Sequence, residues 1–185
     1  MARHTIEILE RTDGPIVVPS GSCAAMIRHG YAELFAEEPE WHAHAASLAE
    51  RTFEFSEFLA DERATFEPGS SHSGALAYHP SCHLQRGLGI EEQPLRLLSR
   101  LDVELIALEA ECCGFGGIFA IEQPEISSEM LLRKLNEIHE AGALTVVGCD
   151  VSCLMQIEGG LRKENADIRC AHLAQVLAGH TPGLR

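Results

Sequence analysis

The sequence lacks three features that would place it in other classes of protein. It has no run of about 18 or more apolar residues, so no transmembrane helix is predicted. Only 14 basic residues stand against 28 acidic ones, for a formal net charge of −14. A nucleic-acid surface or an anionic membrane surface would need a basic patch. The first ten residues carry acids and no apolar core, unlike a signal peptide. These absences predict a cytoplasmic protein.

Size and cysteine content are what the sequence does offer. Its 185 residues, 45% of them hydrophobic, suffice for one ordinary domain or two small ones. Seven cysteines in a reducing compartment indicate metal or redox ligands more readily than disulfides. The sequence contains no true CxxC pair of the kind that structural zinc sites use.

A stretch rich in glycine, serine and proline, residues 67–74, is predicted to be a linker between residues 1–66 and residues 75–185. Before it, a strand is expected at 15–19 and helices at 2–11, at 24–35 and twice within 40–65. After it, strands are expected at 75–79, 103–108, 145–148 and 167–170, and helices at 91–100, 124–140, 152–163 and 171–178. Strands that alternate with helices predict an α/β fold with βαβ units and a parallel sheet.

Cysteines follow three of these predicted strands. Cys82 comes after the first strand beyond the linker, Cys112 and Cys113 after the second, and Cys149 and Cys153 after the third. The carboxyl ends of parallel strands share one edge of the sheet, where α/β proteins bind ligands. We therefore expect these five thiols to converge and to hold a metal.

The densest of these segments is the vicinal pair Cys112 and Cys113, followed by a loop with Gly114, Gly116 and Gly117. Core packing rarely needs two adjacent thiols, whereas a metal or cluster can take both from a tight turn. Glycines permit positive φ and remove side-chain bulk, so their amides can approach a bound cofactor. The three glycines are candidate cofactor-binding residues.

The residues alone leave three chemistries open. Converging thiolates suit an iron–sulfur cluster, which tolerates irregular spacing, better than a structural zinc ion or a redox disulfide. Cys153 is expected near a helix N-terminus, which stabilises a thiolate. Of the remaining candidates, Cys170 is interpreted as core, His79 and His83 as hydrogen-bonding or surface residues, and His172 as a packing or capping residue of the last helix.

A short internal repeat links the two ends of the chain. Residues 16–27 and 146–157 both run from an apolar strand through a small-residue turn to Ser-Cys and then into a helix with Met and Ile. Cys23 then stands where Cys153 stands. The repeat suggests that residues 1–66 are the end of an incomplete first copy and that Cys23 is a remnant of its site.

The pattern of a cysteine, then Cys-Cys-Gly, then a cysteine pair resembles the cysteine-rich CCG family of iron–sulfur proteins. Its domain occurs twice in one of the subunits of heterodisulfide reductase, in the glycolate oxidase iron–sulfur subunit and in lactate utilization protein A. Segments 18–26, 112–117 and 150–155 are most similar to the last of these. The resemblance covers nearly the whole chain.

This resemblance implies that Cys82, Cys112, Cys113 and Cys153 bind a 4Fe–4S cluster, cubane or non-cubane. The spacing of Cys149 and Cys153, one residue longer than in the family, leaves open which of them ligates. The implied role is an electron-transfer subunit of an L-lactate oxidation system, with partner subunits that handle substrate. A zinc-stabilised module and a thiol–disulfide enzyme similar to heterodisulfide reductase are the alternatives. Family members begin with a first strand and a first Cys-Cys-Gly that this chain lacks, so an exposed sheet edge and a homo-oligomer are expected.

Overall fold

The computed structural model describes residues 1–61, 67, 69 and 74–180, and it contains two parallel β-sheets with helices packed around them. The helices are α1 (Ala2–Leu9), α2 (Gly21–Ala25), α3 (Tyr31–Leu34), α4 (Pro39–Glu50), α5 (Phe55–Ala60), α6 (Glu92–Leu98), α7 (Phe119–Glu122), α8 (Pro124–Ala141), α9 (Val151–Lys163) and α10 (Leu173–Leu177). The strands are β1 (Ile16–Val18), β2 (Thr52–Glu54), β3 (Leu76–His79), β4 (Leu105–Ala107), β5 (Thr145–Gly148) and β6 (Arg169–His172). Two π-helical turns, Met26–Gly30 and His83–Gly87, complete the elements.

The larger sheet has the strand order β4-β3-β5-β6, and every pair in it is parallel. Every residue of the two central strands, β3 and β5, is buried, as expected where helices cover both faces of a parallel sheet. One face packs on a core that includes Tyr78 and Val147, the other on a core that includes Ala77 and Val146. The predicted α/β fold with a parallel sheet is confirmed.

The smaller sheet pairs β1 with β2 in parallel, from Ile16 opposite Thr52 to Val18 opposite Glu54. Its core contains Ile6 of α1 and Leu48 of α4. The two helices predicted within 40–65 are present as α4 and α5, but the strand β2 between them was not predicted. With only three residues it is too short for strand alternation to stand out in the sequence.

The internal repeat has a structural counterpart. In the first copy, α2 follows strand β1 and α5 follows strand β2. In the second copy, α9 follows β5 and α10 follows β6 in the same way. The two strands of each copy pair in parallel. Each copy ends in a capping box: Glu54 with Glu57 opens α5, and His172 with Gln175 opens α10. The prediction that His172 caps the last helix is confirmed.

One carboxylate joins the two sheets where their strands end. Asp150, the residue before α9, accepts hydrogen bonds from the backbone N–H of Ser22 (2.8 Å) and from Ser152 Oγ (2.7 Å). Burial works to raise the pKa of Asp150, but these hydrogen bonds outweigh it and hold the pKa below its ordinary value. The first turns of α2 and α9 are thereby held side by side.

Some predicted boundaries differ from the structure. Strand β6 begins at Arg169 and ends at His172, two residues later than predicted at each end. Most of the predicted linker 67–74 lies outside the described residues, and the division into domains stays a prediction. Within the described part of the chain, none of the helices combines the length and hydropathy that crossing a bilayer requires.

Candidate metal centre

Four of the five predicted ligands meet at the carboxyl edge of the larger sheet. Cys82 opens the helical turn after β3, Cys112 and Cys113 lie in the loop after β4, and Cys153 is the third residue of α9. Cys82 Sγ lies 3.9 Å from Cys112 Sγ. Cys113 Sγ, Cys153 Sγ and a ring nitrogen of His79 all lie within 4.8 Å of one another. The residues thus form one group of thiols at the sheet edge.

Cys149 lies on the other face of the sheet. Side chains alternate along a strand, so Cys149 shares the face of Val147, and it packs in the core that contains Tyr78. Its Sγ lies 3.9 Å from the hydroxyl of Tyr78. Burial, chiefly, raises the pKa of the Cys149 thiol well above its ordinary value. The structure therefore separates Cys149 from Cys153, which the sequence left as alternatives.

The other two cysteines lie away from this group. Cys23 is exposed in the first turn of α2, at the position that corresponds to Cys153 in α9. Cys170 of β6 is partly buried and packs against the core beside Val146, in agreement with its interpretation as a core residue. Burial raises the pKa of Cys170 to about 12, so it behaves as an unreactive thiol.

The glycine loop begins with a residue that must be glycine. Gly114 has φ of 85°, and a Cβ there would lie 2.4 Å from the carbonyl oxygen of Ser127. Its N–H donates to Cys112 Sγ at 3.4 Å, and its carbonyl accepts a hydrogen bond from Ser127 Oγ at 2.7 Å. Gly116 and Gly117 also have positive φ. The loop can therefore lie close to α8 and direct an amide at a thiol.

The other end of the same loop is attached to α8 by a partly buried ion pair. Lys134 Nζ donates to the carbonyl of Glu109 at 2.8 Å and pairs with the carboxylate of Glu137, which in turn accepts from the N–H of Glu109. The Lys134 side chain is fully buried. Residues 109–114 are thus held at both ends by one helix. The sequence contained a weak sign of this, since Lys134 interrupts the apolar stripe of α8.

Hydrogen bonds between the thiols distribute their protons unequally. Donation from Cys113 and then Cys82 lowers the pKa of Cys112 to about 2, and donation from Cys113 lowers that of Cys153 to about 6, with a further contribution from the nearby imidazole of His79. The same bonds to Cys112 raise the pKa values of Cys82 and Cys113. The lowered pKa values of Cys112 and Cys153 favour the thiolate form that binds a metal, and metal binding would release the protons of the remaining thiols.

His79 differs from its sequence-based interpretation. It is the last residue of β3 and is 1% exposed, and neither ring nitrogen has a hydrogen-bond partner among the described residues. His83 fits the interpretation, since it is exposed and its Nδ1 lies 3.7 Å from Cys82 Sγ. The alternation of side chains along β3 is the signal that could have placed His79 on the same face of the sheet as the thiols. It shares the face of Ala77, which packs with Cys113 and Cys153.

The donor set fits a metal of intermediate or soft character. Thiolates and imidazole are ligands for zinc and for iron–sulfur clusters, whereas calcium and magnesium take oxygen ligands. The ring nitrogens of His79, which have no hydrogen-bond partner among the described residues, and the amides of the glycine loop could also contact a bound metal or cluster.

Comparison with known proteins agrees with this geometry. Residues 76–158, which contain all of these loops, match the CCG family, described as a cysteine-rich domain. The chain is 41% identical to lactate utilization protein A 2 of Bacillus cereus strain AH820 over 180 residues, 96% of this chain and 74% of the relative. The same identity and coverage hold for lactate utilization protein A 2 of Bacillus anthracis. Lactate utilization protein A of Oceanobacillus iheyensis is 39% identical over 171 residues, 91% of this chain and 70% of the relative.

Proposed function

The chain belongs to the lactate utilization protein A family, and from that premise we propose that it binds a 4Fe–4S cluster and serves as an electron-transfer subunit in the oxidation of L-lactate. The observation that carries the proposal is the meeting of four thiols from three strand-end loops at one sheet edge. Such a set, drawn from an α/β sheet without a CxxC pair, is typical of a cluster site more than of a small zinc domain.

The ligands that we propose are Cys82, Cys112, Cys113 and Cys153. When bound, the cluster would supply one-electron redox chemistry. The protein would hold it between a deep pair and a shallow pair of thiols, because Cys113 and Cys153 are 1% and 7% exposed while Cys82 and Cys112 are partly exposed. The amide of Gly114 would stabilise negative charge on sulfur, which tunes the potential of such sites.

The system-level role comes from the relatives. Three of them bear the name lactate utilization protein A, and we propose that this chain works in the same kind of system, in the cytoplasm, with partner subunits that bind lactate and pass electrons on. We further propose that residues 75–185 form a cluster-binding domain, and that residues 1–66 belong to a second, similar one that contains Cys23.

Anaerobic purification followed by iron, acid-labile sulfide and zinc analysis tests the cluster. We expect about four irons and four sulfides per chain, as a 4Fe–4S cluster contains, and a visible absorbance that Cys113→Ser abolishes. Cys170→Ser is the matched control, because Cys170 is partly buried and lies away from the four proposed ligands. This variant should keep its full iron content. Cys149→Ser tests the remaining predicted ligand in the same way. A colourless protein that holds zinc and no iron would contradict the proposal.

The zinc alternative has one observation in its favour. His79, Cys113 and Cys153 lie within 4.8 Å of one another, and ligands on one tetrahedral zinc ion with Zn–S bonds of about 2.3 Å are about 4 Å apart. The metal analysis separates the two. A thiol–disulfide enzyme would instead reduce a model disulfide in the iron-free protein, through the low-pKa thiol of Cys112.

A further inference from the structure

We propose that the imidazole of His79 is itself a ligand of the metal centre, which makes the binding set a mixed thiolate and imidazole one. The inference rests on the proposed function, because it requires that the four thiols at the sheet edge hold a metal. It adds a ligand that the all-cysteine pattern of the sequence does not contain.

The first argument is position. β3 carries Ala77 and His79 on one face and Tyr78 on the other, so the His79 side chain faces the core that includes Cys113 and Cys153. A ring nitrogen and the two Sγ atoms lie within 4.8 Å of one another. Metal–nitrogen and metal–sulfur bonds are about 2.0 and 2.3 Å long, so a metal group held by the two thiolates would lie within bonding reach of the ring nitrogen after a small closure.

The second argument is the cost of leaving this ring without a partner. His79 is 1% exposed, and neither of its buried nitrogens has a hydrogen bond of ordinary geometry among the described residues; the Cys153 thiol is the polar neighbour that comes near enough for a weak one. Buried polar groups are rarely left unpaired, because each loses its hydration with nothing in return. His172, the other buried histidine at a strand end, differs because its Nδ1 accepts from the N–H of Ala174, which within the described part of the chain leaves only its Nε2 unpaired, whereas both nitrogens of His79 are. A metal bond would satisfy one nitrogen of His79.

The third argument concerns the thiols nearby. Cys82 and Cys112 contact each other at the partly exposed side of the group, while His79 lies with the buried pair. The metal would therefore meet its nitrogen ligand on the side that water does not reach. The alternative role for His79 is donation of a hydrogen bond to a cysteine or cluster sulfur, which leaves the metal bound by sulfur alone.

Electron-spin-echo spectroscopy of the reduced, iron-loaded protein decides between these roles, with ¹⁵N introduced only in histidine. A directly bonded imidazole gives a strong nitrogen coupling, and we expect one that shifts with the label and disappears in His79→Cys, where a thiolate replaces the ring and retains the metal. His83→Gln is the matched control and should keep the coupling, because His83 is exposed beside Cys82.

The result that would overturn the inference is a loaded centre with weak coupling only, or with a strong coupling that survives His79→Cys. If the purified protein holds zinc instead of iron, X-ray absorption at the zinc edge gives the same answer: one nitrogen scatterer, lost in His79→Cys, supports ligation, and sulfur alone refutes it. A protein that holds neither metal under anaerobic conditions refutes the proposed function, and a loaded centre with sulfur ligands alone refutes only the role of His79.

Discussion

Replacing Lys134 by methionine should weaken both the fold and the metal centre. Methionine fills the space of the lysine stem without its charge, so no large cavity is formed. What is lost is the hydrogen bond to the carbonyl of Glu109 and the pairing with Glu137. Since both contacts attach the Cys112–Cys113 loop to α8, the change reaches the ligands through the backbone.

The structure sets the size of the effect. Removing one partner of a buried ion pair destabilises a protein by about 3–5 kcal/mol. The Lys134 side chain is 0% exposed, but that of Glu137 is 23% exposed, so water can partly solvate the carboxylate left behind. We therefore expect the lower end, about 3 kcal/mol, which corresponds to a melting temperature lower by about 6–12 °C for a chain of this length.

The adjacent residue provides the control. Arg133 pairs with Glu129 on the exposed side of the same helix, with both side chains more than half exposed. Such an i,i+4 pair contributes about 0.3–0.5 kcal/mol, so Arg133→Met should have little effect. Unfolding by urea in reducing, anaerobic buffer measures the stability of both, and iron content per chain measures loading. Equal stabilities for the two variants, or full iron content in Lys134→Met, would show that Lys134 does not hold the Cys112–Cys113 loop in place.

Three further predictions follow from single residues. Gly114→Ala should destabilise the chain by about 2 kcal/mol or more and lower its iron content, because alanine there needs a left-handed φ and its Cβ would meet a carbonyl oxygen at 2.4 Å; normal loading would contradict this. In α9, Gly159→Ala should raise stability by up to about 1 kcal/mol, because its Cβ meets nothing within 4 Å. Gly160→Ala should lower the stability, because its Cβ would lie 2.7 Å from a leucine methyl of α8. If urea unfolding shows equal effects for the two alanine variants, α8 and α9 do not pack as closely at Gly160 as described. Burial raises the pKa of Glu54 above its ordinary value of 4.5, so the folded chain holds that proton more tightly, and its contribution to stability is lost as the pH rises through the folded-state pKa. Glu54→Gln should therefore give a flatter stability profile than the parent as the pH rises above 4.5, and parallel profiles would rule this out.

The parts of the structure that the sequence predicts are those with a strong local pattern. The run Thr145–Gly148 is apolar and β-branched, and α8 opens at Pro124 and ends before Gly142, which has φ of 67°. Parallel pairing then follows from the alternation of strands and helices, and it brings the loop cysteines to one edge. Because this step needs only topology, the meeting of Cys82 with Cys112 could be expected without side-chain detail.

The sequence did not predict on which face of the sheet the side chains at the strand ends lie. Cys149 and Cys153 both follow β5, and only the pleat of the strand shows that Cys149 joins Tyr78 on the far side. In the same way, the pleat of β3 turns His79 toward the thiols. Lys134 is harder to foresee, because a lysine within an apolar stripe gives no sign of which carbonyl it will meet.

The bond between Asp150 and Ser22 bears on how the protein unfolds. It joins the first turn of α9, which carries Cys153, to α2, the helix that follows strand β1 of the smaller sheet. The single tryptophan of the chain, Trp41, packs on the core of the smaller sheet. Its fluorescence therefore reports on one sheet, while the reactivity of Cys153 toward a thiol reagent reports on the other. If the two signals change at the same urea concentration, the sheets form one cooperative unit, and the four thiols at the edge of the larger sheet depend for their arrangement on a part of the chain that contains none of them.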